Sequence, residues 1–374
     1  GPGAVGRDIV NMMNIVWITL IKVVVTLTWV MSLGALLTWV ERKQSAVMQD
    51  RIGANRANIG PFRMFGLFQI IADSLKMILK EDFVPPGGNR FLHTLAPMIS
   101  VFFSLMSFAI IPIGSPVVVS GQNVSLAVFG SSASMLFVFA MLSLGVYGVV
   151  FAGYSSNNNY AMLGGLRAGA QMFSYEITFG ATVIGMLMIY GTMDIQQLVA
   201  RQQGLALGYY PKWGVFVQPL GFILFCAAGL AETKRAPFDI PEGESEIVGY
   251  FLEYSGLRWG AFMLVDFLET ILIACLATLL FLGGWQVPLL QADGFHVGTN
   301  FYALAPIWVT VIHVVSFFIK VSFFIWVFML VRWSLPRFRY DQLMRLGWNI
   351  MLPLSLLNIF VTGGILLVLD KFHG

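Results

Sequence analysis

Six carboxylates crowd the segment AETKRAPFDIPEGESEIVGYFLEYSG at 231–256: Glu232, Asp239, Glu242, Glu244, Glu246 and Glu253. Two more, Asp266 and Glu269, follow three residues apart in the next apolar run. Charged groups beside hydrocarbon are costly, and where they persist they pair, bind ions or pass protons. Pro237 and Pro241 push the residue before each out of helical geometry. A helix starting at Pro241 would set Glu242, Glu246 and Glu253 at roughly 0°, 40° and 20° on one face, with Glu244 elsewhere. Burial and like-charge repulsion both raise a carboxyl pKa, so such a cluster gains and loses protons as a coupled set. The pull of a helix N-terminus on acids accounts for Glu242 and Glu244 at most. The spacing therefore points to a proton relay.

Other candidate groups lie within the apolar runs. Glu176, in QMFSYEITFG, is expected about one turn inside a span as a buried protonatable site. Lys320 is near the middle of another span, where an unpaired lysine costs about 2.5–3.5 kcal/mol, so it is a candidate counter-charge for the acids. Lys22, nearer a span end, snorkels. His313 either joins the relay or packs between helices as a hydrogen-bonded histidine. Near the C-terminal end, Arg332, Arg337, Arg339 and Arg345 against Asp341 make a basic patch suited to lipid headgroups or a partner protein.

The elements that must position these groups are membrane helices. The 374 residues are 57% hydrophobic and 11% charged, with mean hydropathy +0.79; a soluble domain carries about 25% charged residues. Runs of roughly 20 apolar residues span a bilayer as helix. Eight such spans are expected, near 15–40, 94–113, 132–153, 171–190, 213–231, 260–283, 303–331 and 348–369, in a single integral membrane domain over 1–374 of all-α polytopic class. The opening GPGAVGRD is set aside from the fold. Loops 41–93, 154–170, 232–259 and 332–347 hold 16 of the 22 lysines and arginines, which sets that side in the cytoplasm and both termini opposite.

Between the first two spans, Pro61 opens a helix expected over 61–80. Gln69, Asp73, Lys76 and Lys80 form a stripe about 60° wide on an otherwise apolar surface. Such a helix lies at the membrane interface, and its narrow seam suits the wall of an amphipathic cavity better than a plain surface anchor. Cys226 and Cys275 lie in apolar runs, without the CxxC spacing of an iron–sulfur ligand set. The four histidines are scattered, and no metal site is expected. No phosphate-binding glycine loop or Gly-x-Ser-x-Gly elbow is present. Redox cofactors must come from partners. The outer loops 114–131 and 284–302, nearly free of charge, suggest no chemistry.

Five segments together resemble a known family: ERK(x)5Q(x)RxG(x)N in 41–55, GP(x)4GLFQIIADSLKMILKE in 60–81, NYAMLGGLRAGAQMFSYE in 159–176, AETKRAPFDIPEGESE(x)6EYSG in 231–256 and LPRFRYDQLMRLGW in 335–348. They are similar to the H-type membrane subunit of respiratory complex I, subunit 1 in mitochondria, almost along the whole chain. The resemblance implies eight spans and an enzyme role as one subunit of a proton-pumping NADH:quinone oxidoreductase. Ubiquinone or another quinone is then the substrate, with FMN and iron–sulfur clusters in partner subunits. Implied partners are the peripheral-arm quinone-site and iron–sulfur subunits, small membrane-arm subunits and lipid, with no nucleic acid. The implied location is the bacterial inner membrane rather than the mitochondrial one. By motif match, Glu41, Arg42, Arg51, Asp73, Arg235, Phe238 and Arg337 fall near the quinone tunnel or the docking surface. Glu176, Glu232, Asp239, Glu242, Glu244, Glu246, Glu253 and Asp266 match the acidic relay series, with Glu269 and Lys320 as further candidates. Ala54 stands where the family usually has Pro, Asp266 where a Glu is common, and 284–302 is longer than in short relatives. The alternatives are the membrane subunit of an energy-converting hydrogenase, from which RAPFDIPEGESE and GANR diverge, and a transporter, whose internal repeats are not evident.

Overall fold

One helix, Gly256–Phe281, is mostly apolar, and from Val265 to Phe281 it is buried without interruption. A helix so largely hydrophobic belongs in the centre of a bundle, and the rest of the chain wraps it. The computed structural model describes residues 2–119, 122–206, 210–241, 249–291, 294–297 and 300–373. In chain order the helices are α1 (Pro2–Met48), α2 (Gln69–Leu79), α3 (Arg90–Ser107), α4 (Ser134–Ser155), α5 (Asn159–Tyr190), α6 (Ile195–Arg201), α7 (Gly214–Val217) and α8 (Pro219–Glu232). The central α9 (Gly256–Phe281), then α10 (Pro306–Ser334), α11 (Tyr340–Arg345) and α12 (Leu352–His373) complete the set. Packed against α9 are α1, α2, α3, α8 and α10. Because α9 carries Asp266 and Glu269, its position alone puts both acids inside the protein.

Among the described residues, seven helices are long and apolar enough to cross a membrane; the protein is an all-α polytopic membrane protein. The fifth expected span is different. α8 has 14 residues, roughly 21 Å at 1.5 Å per residue, against about 30 Å of hydrocarbon. The run breaks at Gln218 (φ −140°, ψ 65°). Pro219 has no N–H to give, and the Gln218 amide turns inward to donate to Thr362 Oγ1 at 2.8 Å. The fourth span is longer than expected, because NYAMLGGLRAGA is helix and not loop. Its small residues allow close approach: a Cβ on Gly165 would lie 3.3 Å from the Gly153 Cα of α4.

The expected helix over 61–80 is regular only across α2. Before it, Met64, Phe65 and Gly66 all have positive φ. A side chain at Gly66 (φ +84°) would collide with the Ala54 carbonyl oxygen, so this turn packs directly on the 51–55 loop. Of the polar stripe, Gln69 and Asp73 are half-buried while Lys76 and Lys80 are exposed. The stripe therefore divides and does not form one seam. Between Leu346 and Met351 the helix widens to π geometry. There Gly347 lies against the Tyr175 ring and Trp348 Nε1 donates to Ser174 Oγ. Short antiparallel strands fill loops at the opposite end of the bundle: β1 (Val117–Val119) with β2 (Gln122–Val124), β3 (Leu205–Ala206) with β4 (Tyr210–Pro211), and the meander β5 (Leu290–Gln291), β6 (Gly294–Val297), β7 (Asn300–Ala303).

Candidate functional site

Four chain segments meet where the basic loops cover the bundle: the end of α1, α2, the loop after α8, and the end of α10. Glu41, in the last turns of α1, is the hub. Its carboxylate accepts from Arg235 Nη1 at 3.2 Å and pairs with Arg332 Nη1 at 2.5 Å. The Arg235 guanidinium also lies over the Phe267 ring of α9, 3.9 Å from its centroid. This adds a cation–π attraction in a desolvated place. Beside this hub opens a cavity of about 500 Å³ lined by Glu41, Arg42, Ser45, Arg51, Gln69, Phe267 and Trp333 among others. Asp73 of α2 holds Arg42 at 2.7 Å and accepts from Gln69 at 3.0 Å. Arg51 is kept at the rim by Gln49 and Ser45. The motif-matched residues Glu41, Arg42, Arg51, Asp73 and Arg235 thus come together. A larger cavity, about 1000 Å³, lies at the opposite end between Trp285, Ile307 and Val311, and no acid lines it among the described residues.

Phe238 and Arg337 are placed differently. Phe238 is buried between Phe338, stacked at 5.5 Å, and Tyr175 at 6.1 Å, so it is core and does not line the cavity. Arg337 pairs with Asp239 at 2.8 Å, and Phe338 N–H donates to Pro237 O at 3.0 Å. These contacts tie the loop after α10 to the loop after α8. Gln171, not among the candidates expected from sequence, donates from Nε2 to both Ala231 O and Phe238 O at 2.8 and 2.7 Å. It pins both ends of the Ala231–Phe238 turn to α5.

Inside that turn lies a second cluster. Lys234 is 4% exposed, with its backbone in the left-handed region (φ +54°). Its Nζ lies 3.0 and 3.3 Å from the two oxygens of Glu269 and 3.6 Å from Asp266 Oδ1. Burial pulls the lysine pKa down, but the charges of Glu269 and then Asp266 push it further the other way, up to about 12. The ammonium therefore stays charged at any physiological pH. Glu232, last residue of α8, is 1% exposed, and neither carboxyl oxygen has a hydrogen-bond partner among the described residues. Glu176, midway along α5 and not one turn inside it, bonds to Ser143 of α4.

Glu253 does not join these acids. Gly249 takes φ +123°, residues 250–253 form a turn, and α9 starts at Gly256, so no helix from Pro241 carries Glu253. Its carboxylate accepts from Asn158 at 2.8 Å, at the N-cap of α5. From Asn158 to Glu176 is roughly 27 Å along the helix axis. Glu253 belongs instead with a separate group in which His93 stacks on Tyr254 at 3.9 Å, and Arg258 joins His93 Nδ1 at 3.1 Å and Asp82 at 3.0 Å. Spacing alone does not flag His93, because its partner Arg258 lies 165 residues away on α9. Glu242, Glu244 and Glu246 lie outside the described residues.

Lys320 is not a counter-charge for the acids. Its Nζ donates to the carbonyls of Leu282, Gly284 and Gln286 at 2.8, 2.9 and 2.6 Å and sits 4.4 Å over the Trp213 ring. Leu282 is roughly 24 Å along α9 from Asp266. The lysine caps the C-terminal end of α9, where carbonyls lack helical partners and the dipole favours a cation. His313 bonds Ser115 Oγ at 3.0 Å at the same end of the bundle, consistent with a packing histidine.

A family model described as NADH dehydrogenase matches residues 21–363. The chain is 40% identical over 348 residues to the H subunit of the NADH-quinone oxidoreductase of Flavobacterium johnsoniae, covering 93% of this chain and 94% of that one. It is 41% identical over 343 residues to the protein of the same name from Thermomicrobium roseum, covering 91% and 93% of the two. To the second H subunit of Geobacter sulfurreducens it is 41% identical over 340 residues, covering 90% and 93%.

Proposed function

The chain belongs to the NADH dehydrogenase family that includes the H subunits of bacterial NADH-quinone oxidoreductases, and we propose that it is the membrane subunit at which such a complex reduces quinone and starts charge movement. The 500 Å³ cavity takes the quinone head group, and the buried acids behind it pass on the charge change. The observation that carries this reading is contiguity. Glu41 and Phe267 line the cavity, and both also hold Arg235, whose chain neighbour Lys234 is bonded to Glu269 and lies 3.6 Å from Asp266. A polar head group and a long apolar tail call for apolar walls with a few polar groups at the inner end. Met263, Phe267 and Trp333 beside Arg42, Arg51 and Gln69 make that mixture.

Reduction of a quinone to a quinol takes up two electrons and two protons. The electrons come from FMN and iron–sulfur clusters in partner subunits, and the proton demand falls on groups around the cavity. Protonation changes there alter the field at Glu41–Arg235 and, one residue on, at the Lys234 cluster. Moving a charge against about 100 mV takes about 2.3 kcal/mol, and a pKa change of one or two units supplies a similar amount. Of the described acids expected in the relay, Glu176, Glu232, Asp266 and Glu269 are kept, while Asp239 is held by Arg337 and Glu253 by Asn158. Glu242, Glu244 and Glu246 extend it by motif match. Asp239 and Arg337 join the two loops that face the peripheral arm. With the basic loops in the cytoplasm, both termini face away from it, in the bacterial inner membrane.

Two substitutions in the intact, membrane-reconstituted complex test the two halves. Arg42→Ala is expected to raise the KM for quinone about tenfold, the loss of roughly one charge-assisted hydrogen bond at the cavity mouth. An unchanged KM removes the head group from this cavity. Glu232→Gln is expected to cut the protons moved per quinone reduced by more than half. An unchanged ratio removes the relay.

A further inference from the structure

Within the buried cluster, the Lys234 ammonium contacts two carboxylates and acts electrostatically on a third. Lys234 is bonded to Glu269 on two oxygens and lies 3.6 Å from Asp266, while Glu232, two residues back in the chain, is buried with no hydrogen-bond partner of its own among the described residues. The surrounding charges are engaged elsewhere. Arg235 and Arg332 are both bonded to Glu41 of α1, although each also acts at a distance on Asp266. Glu176 of α5 acts electrostatically on Glu232 and is bonded to Ser143. Lys234, bonded to the α9 pair's Glu269, also attracts Glu232 electrostatically.

We propose that Lys234 is a movable counter-ion that positions the relay, letting negative charge sit on the Asp266–Glu269 pair or on Glu232 as its ammonium turns from one to the other. The inference rests on the relay reading above and adds the residue that controls it. The flexible four-carbon stem with three rotatable donors suits the task, where the planar fork of an arginine would hold a fixed geometry. No proton leaves the lysine: it keeps its three hydrogens and changes acceptors, while the moving proton passes between carboxyl groups. Its pKa of about 12 agrees with a permanent charge. The left-handed backbone at Lys234 (φ +54°) is a conformation that lysine rarely takes. Strain of this kind is kept where the surrounding structure uses it, and here it turns the side chain inward to α9.

The test uses the whole complex, with quinone-driven proton movement per assembled complex followed from pH 5 to 9. Lys234→Asn removes the charge and keeps a residue that tolerates the left-handed region. With the ammonium gone, the three acids repel one another in a dry site and ionise later. The acid limb of the pH profile should move up by about one unit or more, a rate loss of roughly tenfold on that limb. Lys234→Arg keeps the charge and should keep the limb within about half a unit. Lys234→Asn with Glu269→Gln removes one acid with the cation and should bring the limb at least halfway back. If Lys234→Asn fails to assemble, Glu269→Gln alone leaves the ammonium with fewer acids, and its limb should move down. A residue of merely structural role lowers the amount of complex and leaves the limb in place. An unmoved limb in Lys234→Asn or in Glu269→Gln, where Glu232→Gln cuts the proton ratio by more than half, overturns the counter-ion alone. Full pumping in Glu232→Gln overturns the relay and the counter-ion together.

Discussion

Glu41→Ala should cost about 3–5 kcal/mol of stability, the range found when one partner of a buried ion pair is removed, and should leave little assembled subunit. The Glu41 carboxylate is the shared anion of Arg235 and Arg332. Without it two guanidinium groups face each other across the junction of α1, α10 and the loop after α8. Arg235 is almost wholly buried, so water compensates it poorly; Arg332 is about a quarter exposed and recovers part of its hydration. Most of the loss therefore falls on Arg235 and on the turn that carries Lys234. Glu41→Gln, which keeps the shape and one acceptor oxygen, should lose about half as much. The measurement is the unfolding temperature of the detergent-solubilised complex, together with the amount of assembled complex in membranes. An unfolding temperature unchanged in Glu41→Ala would mean that the arginines find other anions, and that Glu41 is not the hub between cavity and acids.

The helices are legible because a bilayer demands long apolar runs, but the central place of α9 emerges only from its packing in the fold. What escapes are features carried by contacts distant in sequence or by the backbone. NYAMLGGLRAGA looks like a loop from its glycines, but those glycines let α5 approach α4 closely enough to stay helical. The break at Gln218 leaves an apolar run intact to the eye, since only the inward turn of one amide shortens α8. The acidic segment is visible in composition alone. Its division is not, because Gly249 and the Asn158 contact send Glu253 to another site. Lys234 reads as one more cation among acids, while its partners Glu269 and Asp266 belong to the next helix. The cavity residues Glu41, Arg42, Arg51, Asp73 and Arg235 come from motif resemblance. Nothing in their spacing brings positions 41, 73 and 235 together before the chain folds.

Lys320 is the plainest case of a partner that no composition can show, and its removal gives the second large effect. Its mid-span position suggests a carboxylate partner, yet its three acceptors are backbone oxygens of the turn that ends α9. That turn exists because Gly283 and Gly284 take φ +69° and +57°, where a side chain would be strained. It is held from the other side by Gln202, which accepts from Gly283 N–H at 3.1 Å and donates to Leu279 O at 2.8 Å. Lys320→Met keeps length and apolar stem but leaves three carbonyls in a sparsely hydrated place without a donor. Hydrogen bonds to a charged group are worth about 1.5–3 kcal/mol each, and the cation at a helix C-terminus adds a few tenths to about 2. These do not add in full, and the variant no longer has to bury a charge, so a net loss of about 3 kcal/mol is expected. It should appear as a lower unfolding temperature and less assembled complex. The protons moved per quinone reduced should stay the same in the complexes that survive, because the cap is roughly 24 Å along α9 from Asp266. A normal unfolding temperature with a reduced proton ratio would reverse the assignment: the lysine would then take part in proton passage, and the end of α9 would hold without it.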